Sequence, residues 1–302
     1  MSGSQVGIAR PVESPPGSIR QGGRPLWKRR ATAFAIAALV LIGGAGYLLT
    51  RPDAAPVTPE PEESTPTLAW QPGPDETLQL QLSGKVDTSY DADIYIVDLN
   101  DTSPAAIEKL HAADRKVVCY LSAGAWEEWR PDADSFPVGV LGDALQGSTT
   151  ERWLDISQLE TLRPIIATRL AECAEKGFDG VSFDNIDGYG NETGFDLTEA
   201  DQIAFNEMLG QLAHDHGLAA GSTNAPELAQ ALGPDFDLAL STGCYQFEEC
   251  DRYRSFADAG KPVFVIEFEV PYDELCRQAE ADGYIAQLKR YNLSEWRRAC
   301  WE

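Results

Sequence analysis

Carboxylates and amides recur in this chain at the ends of short apolar runs. Asp98 follows Tyr95-Ile96-Val97, Tyr120 and Ser122 close Val117-Val118-Cys119, and Asp155 follows Trp153-Leu154. Asp184 and Asn185 follow Val181-Ser182-Phe183, Asn224 comes after Ser222-Thr223, and Glu267 ends Val263-Phe264-Val265-Ile266. Four acids gathered in a dry core would repel one another and lose hydration, so a wet cleft with a polar ligand suits them better. Two carboxyl groups in such a cleft can hold and release protons around a reacting bond. Trp126, Trp129, Tyr189, Tyr245 and Phe247 stand just beyond the run ends, where flat rings can stack on a sugar face while acids bond its hydroxyls. The richest stretch is residues 180–191, where an apolar run breaks into Asp184, Asn185, Asp187 and Tyr189. A calcium loop is the competing reading of that stretch, but no acid or amide stands two places after Asp187, as the helix-loop-helix pattern requires. Taken singly, Asp98 and Asp155 also suit a plain role as turn or helix-capping acids.

The elements that must position these residues alternate. Strand candidates are 78–82, 93–99, 116–122, 152–156, 180–184, 218–222, 238–242 and 262–267, rich in β-branched and aromatic residues. Between several of them lie stretches of helical period, clearest where Leu159, Leu162, Ile166, Leu170 and Cys173 recur at spacings of three and four. Eight such strands with helical crossovers predict an α/β fold, a (β/α)8 TIM barrel over residues 69–302, with an open doubly wound sheet as the rival architecture. In a barrel the site lies at the C-terminal ends of the strands, where the polar residues above fall.

Charge divides the chain. Residues 1–51 hold seven Lys or Arg and one acid, whereas the whole chain of 302 residues has 24 basic and 48 acidic residues. The remainder is therefore strongly acidic, which argues against nucleic acid as a partner. Residues 1–30 read as a disordered cytoplasmic tail. Residues 31–50 read as a transmembrane anchor, with Lys28-Arg29-Arg30 keeping the tail inside and sending the rest outside the cytoplasm. A signal peptide cleaved to release a secreted protein is the alternative. Residues 51–68, rich in Pro and acids, read as a solvated linker. All six cysteines lie beyond the anchor, where disulfides are permitted, and Cys244 with Cys250 and Cys276 with Cys300 are the local pairs expected among fifteen possible pairings. With no Cys-x-x-Cys and only three histidines, metal ligation is not expected. Walker, Gly-x-Ser-x-Gly and Gly-x-Gly-x-x-Gly signatures are absent from the sequence.

From Trp70 to Glu267 the chain resembles glycoside hydrolase family 114, the endo-α-1,4-polygalactosaminidase-like barrels. The resemblance rests on Gln81-Leu82-Ser83-Gly84, Tyr95-Ile96-Val97-Asp98-Leu99, Val118-Cys119-Tyr120-Leu121-Ser122-Ala123-Gly124, Trp129-Arg130-Pro131-Asp132, Glu151-Arg152-Trp153-Leu154-Asp155-Ile156, Asp184-Asn185-Ile186-Asp187-Gly188-Tyr189, Glu249-Cys250-Asp251 and Gly260-Lys261-Pro262-Val263-Phe264. It implies cleavage of a galactosamine-containing carbohydrate polymer, with Asp184 as one catalytic carboxylate and no cofactor. The family's second carboxylate aligns with Thr242, an acid with Ser182, a Lys with Thr223, and tryptophans with Leu78 and Leu80. Glu267 or Glu249 is then the expected replacement for the second carboxylate. Asp98, Tyr120, Trp126, Asp155, Asn185, Asp187, Tyr189 and Asn224 are the expected substrate-binding groups.

Overall fold

The structure, a computed structural model, describes Leu68 and residues 70–302 apart from Gln146. The expected tail, anchor and linker, Leu68 excepted, lie outside the described residues. Among the described residues no helix is long and apolar enough to cross a membrane.

In chain order the elements are β1 (Leu78–Gln81), β2 (Ile94–Asp98), α1 (Pro104–His111), β3 (Lys116–Ser122), β4 (Ala125–Glu127), β5 (Leu141–Ala144), β6 (Glu151–Leu154), α2 (Leu159–Lys176), β7 (Gly180–Asp184), α3 (Glu199–Asp215), β8 (Ala219–Thr223), α4 (Ala229–Leu232), β9 (Leu238–Thr242), α5 (Arg254–Asp258), β10 (Val263–Glu267), α6 (Tyr272–Asp282), β11 (Ile285–Lys289) and β12 (Arg297–Ala299). Nine strands form one sheet in the order β1-β2-β3-β7-β8-β9-β10-β11-β12. All neighbours are parallel except β11 and β12. The sheet curves into a nearly closed barrel. Its seam, between β1 and the β11–β12 end, is bridged by side chains: Arg297 Nη1 and Gln287 Nε2 donate to the Leu78 carbonyl at 2.9 and 3.2 Å.

Two strands differ from the expectation. The expected strand 152–156 is β6, the centre of a separate antiparallel sheet β4-β6-β5 inserted between β3 and β7. The eighth parallel strand is instead β11, which the sequence reading did not propose.

Strands such as β2, β9 and β10 carry apolar residues on both faces, and the two faces feed different clusters. Leu78, Leu80, Ile94, Ile96, Val118, Leu238, Leu240, Phe264 and Ile266 pack together inside the barrel. The alternate residues, such as Val97, Val117, Val181, Ala239, Val263 and Val265, pack outward with Leu162, Ile166, Phe205 and Leu209 of the helices. This parity decides which strand-end side chains reach the mouth. The face of α2 expected from periodicity is the buried one, with Leu162, Ile166, Leu170 and Cys173 inward. Helix α3 starts on a reciprocal cap between Thr198 and Asp201, which satisfies free backbone donors at its first turn. Cys119–Cys173 ties β3 to α2, and Cys244–Cys250 and Cys276–Cys300 are the two expected local bonds.

Candidate active site

Asp184 sits at the C-terminal end of β7, with Ser122 of β3 as its register partner. Its carboxylate accepts from Tyr120 Oη at 2.7 Å and from the Asn185 amide at 2.8 Å. Burial pushes the Asp184 pKa upward, while these two bonds and the Asn224 side chain pull it back. Asn224 is oriented for that role because its Oδ1 is occupied by the Thr242 amide and hydroxyl at 2.8 and 3.0 Å. Asn185 and Asn224 both adopt left-handed backbone (φ 58° and 53°), a conformation Asn tolerates better than most residues. The Asn185 side chain donates to Ser122 Oγ at 2.8 Å. The inserted segment closes over this point: a Cβ at Gly124 would stand 1.8 Å from the Asn185 carbonyl, so only glycine fits.

Asp187 lies one turn further along the same loop. Burial, then the charge of Asp184, raises its pKa from 3.8 to about 6, although Asn191 Nδ2 donates to Asp187 Oδ2 at 3.3 Å. Two carboxyls thus lie close together with their pKa values both raised first by burial, and Asp184 is the one that three donors steady. Glu227 extends the acidic field. It acts on Asp187, on Tyr189 and on Glu249, whose pKa is raised first by burial and then by Glu227. Tyr189 packs its ring against the core beside this group, and its amide donates to Gln202.

Other expected site residues are committed elsewhere. Asp98 reaches the mouth but is held by both guanidinium nitrogens of Arg130, at 2.9 and 2.8 Å, and by the Asn100 and Asp101 amides. Arg130 also bonds Glu127, whose pKa is raised by burial against that pairing. Asp155 is not at a barrel strand end; it follows β6 and accepts from the Ser157 hydroxyl at 2.6 Å in a local turn. Trp126 belongs to β4 and donates from Nε1 to the Ala133 carbonyl at 3.0 Å.

Glu267 shares strand parity with Val263 and Val265, which pack on the outer side of the sheet. Its Oε1 accepts from the Tyr245 and Gln246 amides at 2.8 and 3.4 Å, its Oε2 has no partner, and burial raises its pKa. The expectation that Glu267 faces Asp184 across the mouth is therefore corrected: it pins the loop after β9. Glu249 lies in that same loop, half-buried, on the side of Glu227.

Two of the departures from the family pattern meet in space. Ser182 and Thr223 share a buried 2.8 Å hydrogen bond one layer below Asp184. Where the family carries an acid and a Lys, this chain holds a matched neutral pair, so neither hydroxyl is left unsatisfied. Leu78 and Leu80 fill the barrel interior. The sequence reading missed Glu227, Arg130 and Glu127; Pro226-Glu227, directly after Asn224-Ala225, was the available signal for the first.

The three histidines sit apart from the mouth. His111 and His214 pair with Asp179 and Asp237, which precede β7 and β9, and His216 bonds the Leu212 carbonyl. Among the described residues no group of three or more His, Cys, Asp or Glu is placed to hold a metal ion. A separate hollow, lined by Tyr245, Glu248, Asp251, Arg277 and Asp282, opens beside α6 and contains none of the strand-end acids.

The crystal structure of Aspergillus fumigatus Ega3 in complex with galactosamine superposes with a TM-score of 0.73 at 37% identity, covering 78% of this chain and 98% of that one. The glycoside hydrolase domain of PelA from Pseudomonas aeruginosa matches at a TM-score of 0.59 and 14% identity, over 74% of this chain and 98% of that domain, and shares the fold. No curated protein matches the sequence. The model of glycoside-hydrolase family GH114 matches residues 59–302. With a barrel mouth built around Asp184 and a similar galactosamine-bound structure, the chain belongs to glycoside-hydrolase family GH114.

Proposed function

We propose that the barrel hydrolyses a galactosamine-containing polysaccharide outside the cytoplasm, with Asp184 as one reacting carboxylate. The observation that carries this is the convergence of Tyr120, Asn185 and Asn224 on Asp184, with Asp187 beside it at a pKa of about 6. Hydrolysis of a glycosidic bond needs one carboxyl to protonate the leaving oxygen and another to act as base or nucleophile. Since Glu267 serves the loop after β9, Asp187 and Glu151 are the carboxyls whose charges couple to Asp184, and Glu249 is the further candidate from that loop. The experiment is turnover of α-1,4-linked galactosamine oligomers by wild type and Asp184→Asn. A loss of roughly a thousandfold or more with unchanged circular dichroism is expected, and equal rates would refute the assignment.

Thr242 favours a second reading, a barrel that binds glycan without cutting it, because a neutral hydroxyl bonded to Asn224 occupies the family's second carboxylate position. Release of reducing ends from the oligomer by the wild-type protein eliminates that reading.

Location follows from residues 31–50 as a membrane anchor with the Lys28-Arg29-Arg30 flank inside. The three disulfides support an oxidising compartment for the barrel. Protease added to intact cells should remove the barrel; full protection would overturn the anchor orientation, and an untethered barrel in the medium would favour the cleaved signal peptide.

A further inference from the structure

The loop after β9 is built more rigidly than a connection needs. Gly243 donates to the Ile266 carbonyl at 2.8 Å and turns the chain at φ 93°. Cys244 and Cys250 close the next seven residues into a ring, and the Glu249 amide donates to the Cys244 carbonyl at 2.8 Å. From behind, Glu267 Oε1 takes the Tyr245 and Gln246 amides, and Tyr245 Oη donates to Asp282 at 2.9 Å. Tyr284 Oη secures the far end by donating to the Cys250 carbonyl at 3.0 Å.

What this frame presents is Phe247. Its amide donates to the Gly243 carbonyl at 2.9 Å, and its ring lies so close over Gly243 that a Cβ there would stand 2.9 Å from Cε2. The residue is nonetheless 62% exposed. An apolar ring held in solvent by a disulfide, a buried carboxyl and two tyrosine hydroxyls is not explained by packing. Its position is informative: Gly243 directly follows Thr242, whose amide and hydroxyl orient Asn224 toward Asp184. The ring therefore packs on the residue that directly follows β9 at its C-terminal end, with Glu249 in the same loop, while Glu248 lines the separate hollow beside α6.

The geometry points to Phe247 as the stacking platform of a sugar subsite beside Asp184, with Glu267 as the positioning residue of the loop that carries it. The ligand is a pyranose ring of the polymer: one face supplies C–H groups for the aromatic ring, and its amine and hydroxyls suit the neighbouring carboxylates. This inference rests on the carbohydrate reading above and adds a binding residue that the chemistry at Asp184 does not require.

The test titrates full-length Asp184→Asn protein with an α-1,4-linked galactosamine tetramer by calorimetry, alone and combined with Phe247→Ala or Phe247→Trp. Phe247→Ala should weaken binding about tenfold, and Phe247→Trp should keep it within about threefold. Thermal unfolding of each protein shows whether the loop change altered the fold. Equal tetramer affinity with and without the Phe247 ring overturns the subsite, as does a Trp variant no better than the Ala one. If the tetramer binds in a ring-dependent way but wild type releases no product, hydrolysis fails and the subsite stands. If the tetramer does not bind, both fall.

Discussion

Replacing Asp187 with Asn should stabilise the domain at alkaline pH and leave it nearly unchanged in acid. The Asp187 pKa rises from 3.8 to about 6, first through burial and then through the charge of Asp184. A rise of that size corresponds to ~3 kcal/mol of differential interaction between the two protonation states. Between the ordinary value and the raised one, the native state keeps a proton that the unfolded chain has released. Stability therefore falls as pH climbs through that window, and the full cost is present above it. Below the ordinary value both states are protonated and the cost vanishes. Asn at 187 carries no charge at any pH and can still accept from Asn191. Asp187 retains some solvent contact, which reduces the gain to ~1–2 kcal/mol, roughly 2–8 °C in melting temperature for a domain of this size. Thermal unfolding of both proteins, followed by far-ultraviolet circular dichroism at about pH 4 and about pH 8, measures the difference. Equal shifts at the two pH values, or a loss of stability at the higher one, would show that the acidic field around Asp184 has been misread. Activity should move the opposite way, since a carboxyl kept at a cost in stability is expected where it serves the site.

Glu267→Gln should keep activity close to wild type, because its amide oxygen can accept the Tyr245 and Gln246 bonds; Glu267→Ala should cost ~1–3 kcal/mol in urea denaturation. A Gln variant that folds but has lost about a thousandfold in rate would restore Glu267 as a reacting group. Ser182→Ala alone leaves the Thr223 hydroxyl unpaired and should cost ~1–3 kcal/mol, most of which returns in the double variant with Thr223→Val; strictly additive losses in the denaturation cycle would deny the coupling. Removing Cys119–Cys173 as a double Ala variant frees a loop spanning 54 residues and should cost ~2–4 kcal/mol, so an unchanged urea midpoint would contradict the prediction.

Much of the site was legible because strand ends announce themselves where an apolar run meets a polar residue. Asp184, Asn185 and Asn224 were placed that way, and the structure brings all three together with Tyr120. Asp98 was read from the same signal, yet Arg130 claims its carboxylate from 32 residues along the chain, a pairing that local pattern does not encode. Periodicity marked 152–156 as a strand, and it is one, but hydrophobic pattern reports extended backbone and not which sheet the strand joins. The polar Gln287 and Lys289 and the partly buried Ile285 and Leu288 masked β11 for a related reason: a strand at the barrel seam alternates less cleanly than its neighbours.

The amino-acid sequence alone determined the alternation of strands and helices, the local disulfides and the acid at the end of β7, since each depends on residues near one another in the chain. Only the tertiary structure decided which way Glu267 points. Its strand is Val-Phe-Val-Ile-Glu, apolar at every preceding position because parallel barrel strands are buried on both faces. With no polar face to mark the parity, nothing short of the folded barrel distinguishes a carboxyl facing the mouth from one that holds the loop after β9.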